Sequence, residues 1–468
     1  MSSYDYDLLV IGSGPAGQRA AIQSAKLGKH TAIVERRTVV GGVCINTGTI
    51  PSKTLREAVL YLSGYRQREV YGESYAVKQN ITMEDLLFRT EPVIRHEIDV
   101  VQSQLRRNGV EVLAAEAQFA DPHTLRLQFA NGSGERTVSA SNIVLAVGTE
   151  PTRSPEIPFN GQEILVSDDI LGLKRLPHTL AVIGAGVIGC EYASIFAALG
   201  VRVTLVDKLP RLLPFVDAEI VEALDYRLRE NRVTLWLGET VSGVELLEDG
   251  SGARVKIHLA SGKQIAAGNA LYSIGRTGAA NKLNLPAAGL AADARGRIKV
   301  DAQYRTAVPH IFAVGDVIGF PSLASTSMEQ GRLAACHAFG IETTSVPELF
   351  PYGIYTIPEI SYVGRNEEQL TQQNVPYEVG KANYREIARG QIIGDSTGML
   401  KLVFHRETRE LLGVHIIGES ASELVHIGQA VLTYGGKIDY FINNVFNYPT
   451  LAECYKTAAF DGMNRLVG

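Results

Sequence analysis

The chain has 468 residues, and its 45 Lys plus Arg against 50 Asp plus Glu leave a formal net charge of −5, which argues against a nucleic-acid binder built on a basic face. Hydrophobic residues at 45% and charged residues at 20% exclude a disordered chain, and the length predicts roughly three domains. No long apolar run suggests a membrane span, and the acidic start Met1–Asp7 lacks the basic region of a secretory signal. Cys44, Cys190, Cys336 and Cys454 are far apart, and no His or Cys spacing suits a metal. A reduced, cytoplasmic setting without disulfides or metal is the expectation.

In chain order, Tyr6–Ile11 reads as a buried strand: short, apolar and bounded by Gly. Gly12-Ser13-Gly14-Pro15-Ala16-Gly17 follows, then a helix to about Leu27 that Gly28 ends. Thr31–Val34 is a second apolar strand closed by Glu35. Gly132-Ser133-Gly134 marks a hairpin turn. The opening order of events then recurs: strand Leu180–Ile183, turn Gly184-Ala185-Gly186-Val187-Ile188-Gly189, a helix ended by Gly200, and strand Val201–Val206 closed by Asp207. Gly12 to Gly28 and Gly184 to Gly200 both span 16 residues, and each first glycine precedes its acid by 23.

One G-x-G-x-x-G is weak, but two copies, each between a strand and a helix with an acid at the right distance, predict two dinucleotide sites. The first Gly turns tightly, the second admits a pyrophosphate, and the third lets helix pack on strand. The helix N-terminus offers N–H groups and partial positive charge to phosphate. Glu35 and Asp207 are expected to accept from adenosine ribose hydroxyls. Asp207 suits a 2′-OH, while Lys208 and Arg211 suit a 2′-phosphate, so NAD(H) and NADP(H) are both admissible. Two sites suggest a flavin held permanently and a nicotinamide that exchanges.

Pro309–Asp316 reads as a strand ending in Gly-Asp. Ser325–Phe339 reads as a helix in which Thr326-x-x-Glu329 suggests a capping box. Strands Leu400–Phe404 and Leu411–Ile417 with helices near Ser422–Tyr434 and Ala452–Arg465 predict a C-terminal α+β domain. Cys190, Cys336 and Cys454 fall in helical runs and are expected in the core.

Gly41 to Lys53 (GGVCINTGTIPSK) resembles the active-site segment of the pyridine nucleotide–disulphide oxidoreductases, which place C-x-x-x-x-C before I-P-S-K. Here the first position is Cys44 and the second is Thr49, which cannot form the disulfide. The resemblance runs over essentially the whole chain. Ala146-Val147-Gly148-Thr149 and Gly275-Arg276-Thr277-Gly278 are similar to the two crossings between the family's FAD and nicotinamide domains. Gly315-Asp316 resembles its second flavin motif, whose Asp bonds the ribityl chain. Glu191 stands where the family pairs a carboxylate with the flavin-side lysine, here Lys53. Disulfide-reducing members end in H-x-H-P-T-x-x-E; this chain reads Phe446-Asn447-Tyr448-Pro449-Thr450-Leu451-Ala452-Glu453. Tyrosine, with a reference pKa near 10, is a poor base for thiols at neutral pH.

The resemblance therefore implies an α/β fold of two Rossmann-like domains plus a C-terminal dimerisation domain. Its parts are an FAD domain at 1–150 and 275–346, an NAD(P) domain at 151–274, and an interface domain at 347–468. Gly12, Gly14, Pro15, Ala16, Gly17, Glu35, Arg36, Gly42, Val43, Gly148, Gly275, Arg276, Gly315, Asp316 and Ala324 are expected around FAD. Gly184, Gly186, Val187, Ile188, Gly189, Asp207 and Lys208 are expected around NAD(P). Lys53, Glu191 and Cys44 are expected at the chemistry, with the 325–339 helix facing the flavin N1–C2 edge. Losing both the second sulfur and the imidazole implies hydride exchange, NADPH + NAD⁺ giving NADP⁺ + NADH, by a ping-pong route in a homodimer without membrane or nucleic-acid partners. Reduction of a quinone or dye, and a non-catalytic flavin sensor, are the competing readings.

Overall fold

A computed structural model describes residues 4–72, 74–129, 132, 134–247, 254–343 and 349–466. Ser133 of the hairpin turn and the expected boundary between 346 and 347 lie outside those residues. The chain divides into two compact units. One comprises Met1–Leu55, Leu87–Thr152 and Gly275–Val346, and the other Arg56–Leu86, Arg153–Ile274 and Pro347–Gly468.

In the first unit, Tyr6–Ile11 lies inside a parallel sheet, paired with Thr31–Glu35 on one side and Glu135–Leu145 on the other. Glu111–Asp121 extends the sheet beyond Thr31–Glu35, and Ile311–Ala313 extends it beyond Glu135–Leu145. Strands covered on both faces need continuous apolar runs, and Leu8, Leu9, Val10, Ala32 and Ile33 are fully buried. Where the strand order diverges on either side of a central strand, a crevice opens at its carboxyl end, and the first glycine turn sits there. Thr124–Phe129 forms an antiparallel hairpin with Glu135–Leu145. Its residues alternate buried and exposed, as a half-covered strand should.

The second unit repeats the plan. Thr179–Ile183 pairs in parallel with Arg202–Asp207 and with Asn269–Tyr272, so its glycine turn also leaves a central strand. A separate antiparallel sheet in this unit runs in the order Tyr352–Ile354, Ile360–Gly364, Leu411–Ile417, Met399–His405, Tyr377–Asn383. Ala421–Thr433 and Glu453–Leu466 pack on it. Both parallel-sheet helices, Pro15–Lys26 and Val187–Ala198, stop just before a left-handed glycine, Gly28 at φ +73° and Gly200 at φ +86°. Cys190, Cys336 and Cys454 are buried on helices, where free thiols behave as small hydrophobes. Among the described residues no helix is long and apolar enough to cross a membrane.

Candidate functional sites

The first glycine turn lines an open cavity in the first unit. Gly12 has φ +102°, and a methyl there would meet the Ala146 carbonyl oxygen at 2.4 Å. A methyl on Gly17 would meet the Gly12 carbonyl oxygen at 1.9 Å, so this position supports the turn from behind. Gly14 differs: nothing lies within 4 Å of where its methyl would point. Pro15 opens the following helix at its first position, where its missing N–H costs nothing.

Glu35 is buried and ties the turn to the second strand. Its Oε2 accepts the Ser13 N–H at 3.1 Å and the Ser13 hydroxyl at 2.5 Å, and Oε1 accepts the Arg37 N–H at 3.0 Å. The Ser13 hydroxyl in turn accepts the Gly41 N–H at 2.9 Å. Sequence reasoning gave Glu35 only a ribose role; it is also a brace, with carboxylate lone pairs left over for a ligand. Arg36 pairs with Glu150 at 2.8 Å at the exposed rim.

Gly42, Val43 and Cys44 enter the wall on the short helix Gly42–Asn46, and Thr49 joins them from the next helix. Burial pushes the Cys44 thiol up, against a hydrogen bond from Thr49, so it is held protonated rather than as a nucleophilic thiolate. Lys53 lies four residues beyond Thr49 on the helix Thr49–Leu62. Gly148, Gly315, Asp316 and Ala324 complete the wall. Burial raises the Asp316 carboxyl, while Arg276, Ser327 and Thr149 oppose it. Arg276 itself donates to the Thr149 hydroxyl and carbonyl, both at 2.9 Å. Gln330, which the sequence did not flag, accepts the Gly315 N–H at 2.8 Å.

The capping-box expectation fails. The helix runs Ala324–Ala338 with Leu323 at the N-cap and no side-chain cap. Thr326 already lies inside the first turn, so its hydroxyl turns back to the Leu323 carbonyl at 2.9 Å, and Glu329 pairs with Arg332. The first-turn N–H groups are therefore not taken by a cap, and Ala324 and Ser327 from that turn line the cavity.

In the second unit the same geometry returns. Gly184 has φ +103°, and its methyl would meet the Ser273 carbonyl oxygen at 2.7 Å; that of Gly189 would meet the Gly184 carbonyl oxygen at 1.8 Å. Gly186 again faces nothing within 4 Å. Val187 and Ile188 begin the helix. Asp207 accepts the Ala185 N–H at 2.6 Å and the Leu209 N–H at 2.7 Å, so it too braces its turn. Lys208 is exposed. Arg211, offered by the sequence to a 2′-phosphate, is already engaged: it donates to Glu368 at 3.2 Å and to the carbonyls of Pro214 at 2.9 Å and Val216 at 3.3 Å. Glu191 is buried on the helix Val187–Ala198, its Oε1 accepting the Tyr355 N–H at 2.9 Å. Gly275, φ +132°, opens the return crossing in the first unit.

The acids Asp217, Glu219 and Glu367 converge in the second unit with ligand atoms within 4.8 Å of one another. Lys401 Nζ fills that centre, 2.9 Å and 3.0 Å from the two Asp217 oxygens, 3.2 Å from Glu219 and in contact with Glu367. Tyr448 is 72% exposed, whereas Glu453 Oε2 is buried with no hydrogen-bond partner.

Both glycine turns fit a dinucleotide by the same test. The outer glycine leaves open the space a pyrophosphate needs, and the flanking glycines could not carry a side chain. Two such turns at the carboxyl ends of parallel sheets, followed by an antiparallel sheet in the C-terminal segment, are the arrangement of the α/β oxidoreductases that use two dinucleotides. The pyridine nucleotide-disulphide oxidoreductase family matches residues 6–331 and its dimerisation domain matches residues 350–459, and the chain belongs to this family. It is 57% identical over 462 residues to a soluble pyridine nucleotide transhydrogenase of Mycobacterium bovis, covering 99% of this chain and 98% of the relative. A relative of the same name from Colwellia psychrerythraea is 46% identical over 470 residues, covering 99% of each. Among solved structures it is similar to LpdA of Mycobacterium tuberculosis (TM-score 0.87, 26% identity, 97% of this chain and 99% of that one). The HOCl-induced flavoprotein disulfide reductase RclA of Escherichia coli gives a TM-score of 0.86 at 26% identity, over 97% and 99% of the two chains.

Proposed function

We propose that this chain is a flavin-dependent soluble pyridine nucleotide transhydrogenase, catalysing NADPH + NAD⁺ ⇌ NADP⁺ + NADH. The observation that carries this reading is the duplicated, acid-braced glycine turn combined with Thr49 in place of a second thiol beside Cys44. FAD, bound tightly but without a covalent link, belongs to the first cavity, and NAD(H) and NADP(H) take turns at the second turn. Bound flavin supplies two-electron hydride acceptance and release. The domain limits follow: 1–150 and 275–346 for FAD, 151–274 for NAD(P), 347–468 for a homodimer interface. The four cysteines, far apart in the sequence, suit the cytoplasmic setting that this reading assigns.

The protein's own groups then bind, orient and exclude. Gly12, Gly14, Pro15, Ala16 and Gly17 shape the pyrophosphate seat, and Glu35 and Arg36 border the adenosine end. The uncapped start of Ala324–Ala338 offers N–H donors to developing negative charge, worth about 0.3–1 kcal/mol when exposed and up to about 2 when partly buried. Lys53 supplies a full positive charge, and Glu191, oriented by the Tyr355 N–H, a fixed negative one. Cys44 stays a protonated thiol with no sulfur partner. Tyr448 provides no imidazole to carry protons to a dithiol, so the dithiol route is closed and return of hydride to a nicotinamide is the route this reading assigns.

The test is an assay of NADPH with thio-NAD⁺, run beside quinone and lipoamide. Rapid thio-NADH formation with parallel initial-rate lines is expected. A colourless protein, or a flavin that NADPH bleaches but only the quinone reoxidises, overturns the reading.

A further inference from the structure

The second unit carries an arginine on the turn that follows Asp207, and that arginine is paired with an acid. In dinucleotide folds the acid after the second strand takes a ribose 2′-OH, and a nearby arginine accommodates a 2′-phosphate. Here Asp207 is that acid, and Arg211 lies four residues on, in the turn that leaves the strand. The Arg211 guanidinium donates to Glu368 as well as to its own loop's carbonyls. Lys208, exposed on the same turn, is left as the cation without an acidic partner among the described residues.

Glu368 pays a cost in this position. Its Oε1 meets Arg211, but its Oε2 is buried without a hydrogen-bond partner. The Glu368 charge also acts on the buried His415, whose Nδ1 likewise has no hydrogen-bond partner. A buried unpaired oxygen of this kind calls for an explanation.

We propose that Glu368 sets the nucleotide preference of the second site by neutralising Arg211, so that NAD(H) and NADP(H) bind there with comparable strength. This rests on the functional reading above and deepens it. With Arg211 neutralised, Asp207 and Lys208 balance, and neither a 2′-OH nor a 2′-phosphate is strongly favoured. Without the Glu368 charge, the turn carries one net positive charge more. A half-exposed ion pair has a modest effect, so the shift is set at about fivefold, which is about 1 kcal/mol. Glu368 is thus a positioning residue acting through Arg211.

The experiment is equilibrium binding of NADP⁺ and of NAD⁺ to the oxidised, flavin-loaded protein and to Glu368→Gln, at low and high salt. The expected result is a roughly fivefold tighter Kd for NADP⁺, an unchanged Kd for NAD⁺, and a gain that shrinks with salt. An unchanged ratio, or one shifted toward NAD⁺, overturns the proposal. Should Glu368→Gln fail to fold, Glu368→Ala is read against the same two outcomes. Wild-type protein that binds neither nucleotide strikes the functional reading itself, and this proposal falls with it. Wild type that binds both, with a variant ratio that does not move, strikes the proposal alone.

Discussion

The two glycine turns share a backbone and differ in what surrounds them. Gly12 and Gly184 match in φ at +102° and +103°, and both braces run from an acid to the residue after the first glycine. In the first unit that residue is Ser13, whose hydroxyl extends the brace to Gly41, and Glu35 is buried beneath it. In the second it is Ala185, which has no hydroxyl to add, and Asp207 stays half-buried beside the exposed Lys208. Charge does the stitching there: Arg211 to Glu368, and Asp217 to Lys401. One turn geometry thus serves a seat closed by short neutral and charge-assisted bonds and another left accessible on an ion-pinned loop. This difference is what the proposed division between a resident and an exchanging cofactor rests on.

The comparison breaks most visibly at the third glycines. Gly17→Ala and Gly189→Ala each drive a methyl into a carbonyl oxygen within 2 Å. Gly17→Ala is expected to purify without flavin colour. Gly189→Ala should keep its flavin yet lose NADPH-driven bleaching by about 100-fold or more, which is about 3 kcal/mol of binding. Visible absorbance and stopped flow separate the two, and loss of flavin from Gly189→Ala contradicts the division of labour. Next, Lys401→Met strands buried Asp217 without its cation and should lower stability by about 3–5 kcal/mol in denaturant titration.

Stability against pH sharpens the same point. Burial opposes ionisation of Asp217, but His415 and Lys401 outweigh it and hold the carboxyl below its usual range. Burial likewise opposes charging of Lys401, and Asp217 and Glu367 outweigh it, so its ammonium titrates above the usual lysine value. The Asp217 contribution is therefore present above about pH 3.9 and is lost as pH falls through its lower folded value. The Lys401 contribution is present below about pH 10.4 and is lost as pH rises toward its higher folded value. His415, held neutral by burial, adds its own loss of stability as pH falls below about 6.5. Beyond the outer limits, unfolding midpoints should fall more steeply in wild type than in Lys401→Met. The smallest effects are expected at the residue after the first glycine, about 1.5–3 kcal/mol for Ser13→Ala, which loses a bond to a charged group, and near neutral for Ala185→Ser; equal costs would mean the two turns are braced alike.

Both parallel sheets and both turns were readable from sequence because their determinants are local: glycine where φ is positive, an unbroken apolar run where a strand is covered twice, an acid at constant spacing. What was hidden depends on distance in the chain. Gln330 reaches Gly315 fifteen residues away, and Lys401 reaches Asp217 across 184. No periodicity announces such pairs. Thr326 misled because a capping box and a first-turn threonine bonding backward share one spacing, and only the true helix start at Ala324 separates them. Arg211 is a different case: its charge was visible in the sequence, its pairing with Glu368 was not.

The open ground beside Gly14 and Gly186 has an evolutionary corollary. An alanine at either place would encounter no protein atom, so screens for soluble expression or thermal resistance would accept it without complaint. Only a screen scoring retained colour or turnover would notice. These two positions are where a laboratory lineage selected for robustness alone would quietly forget its chemistry.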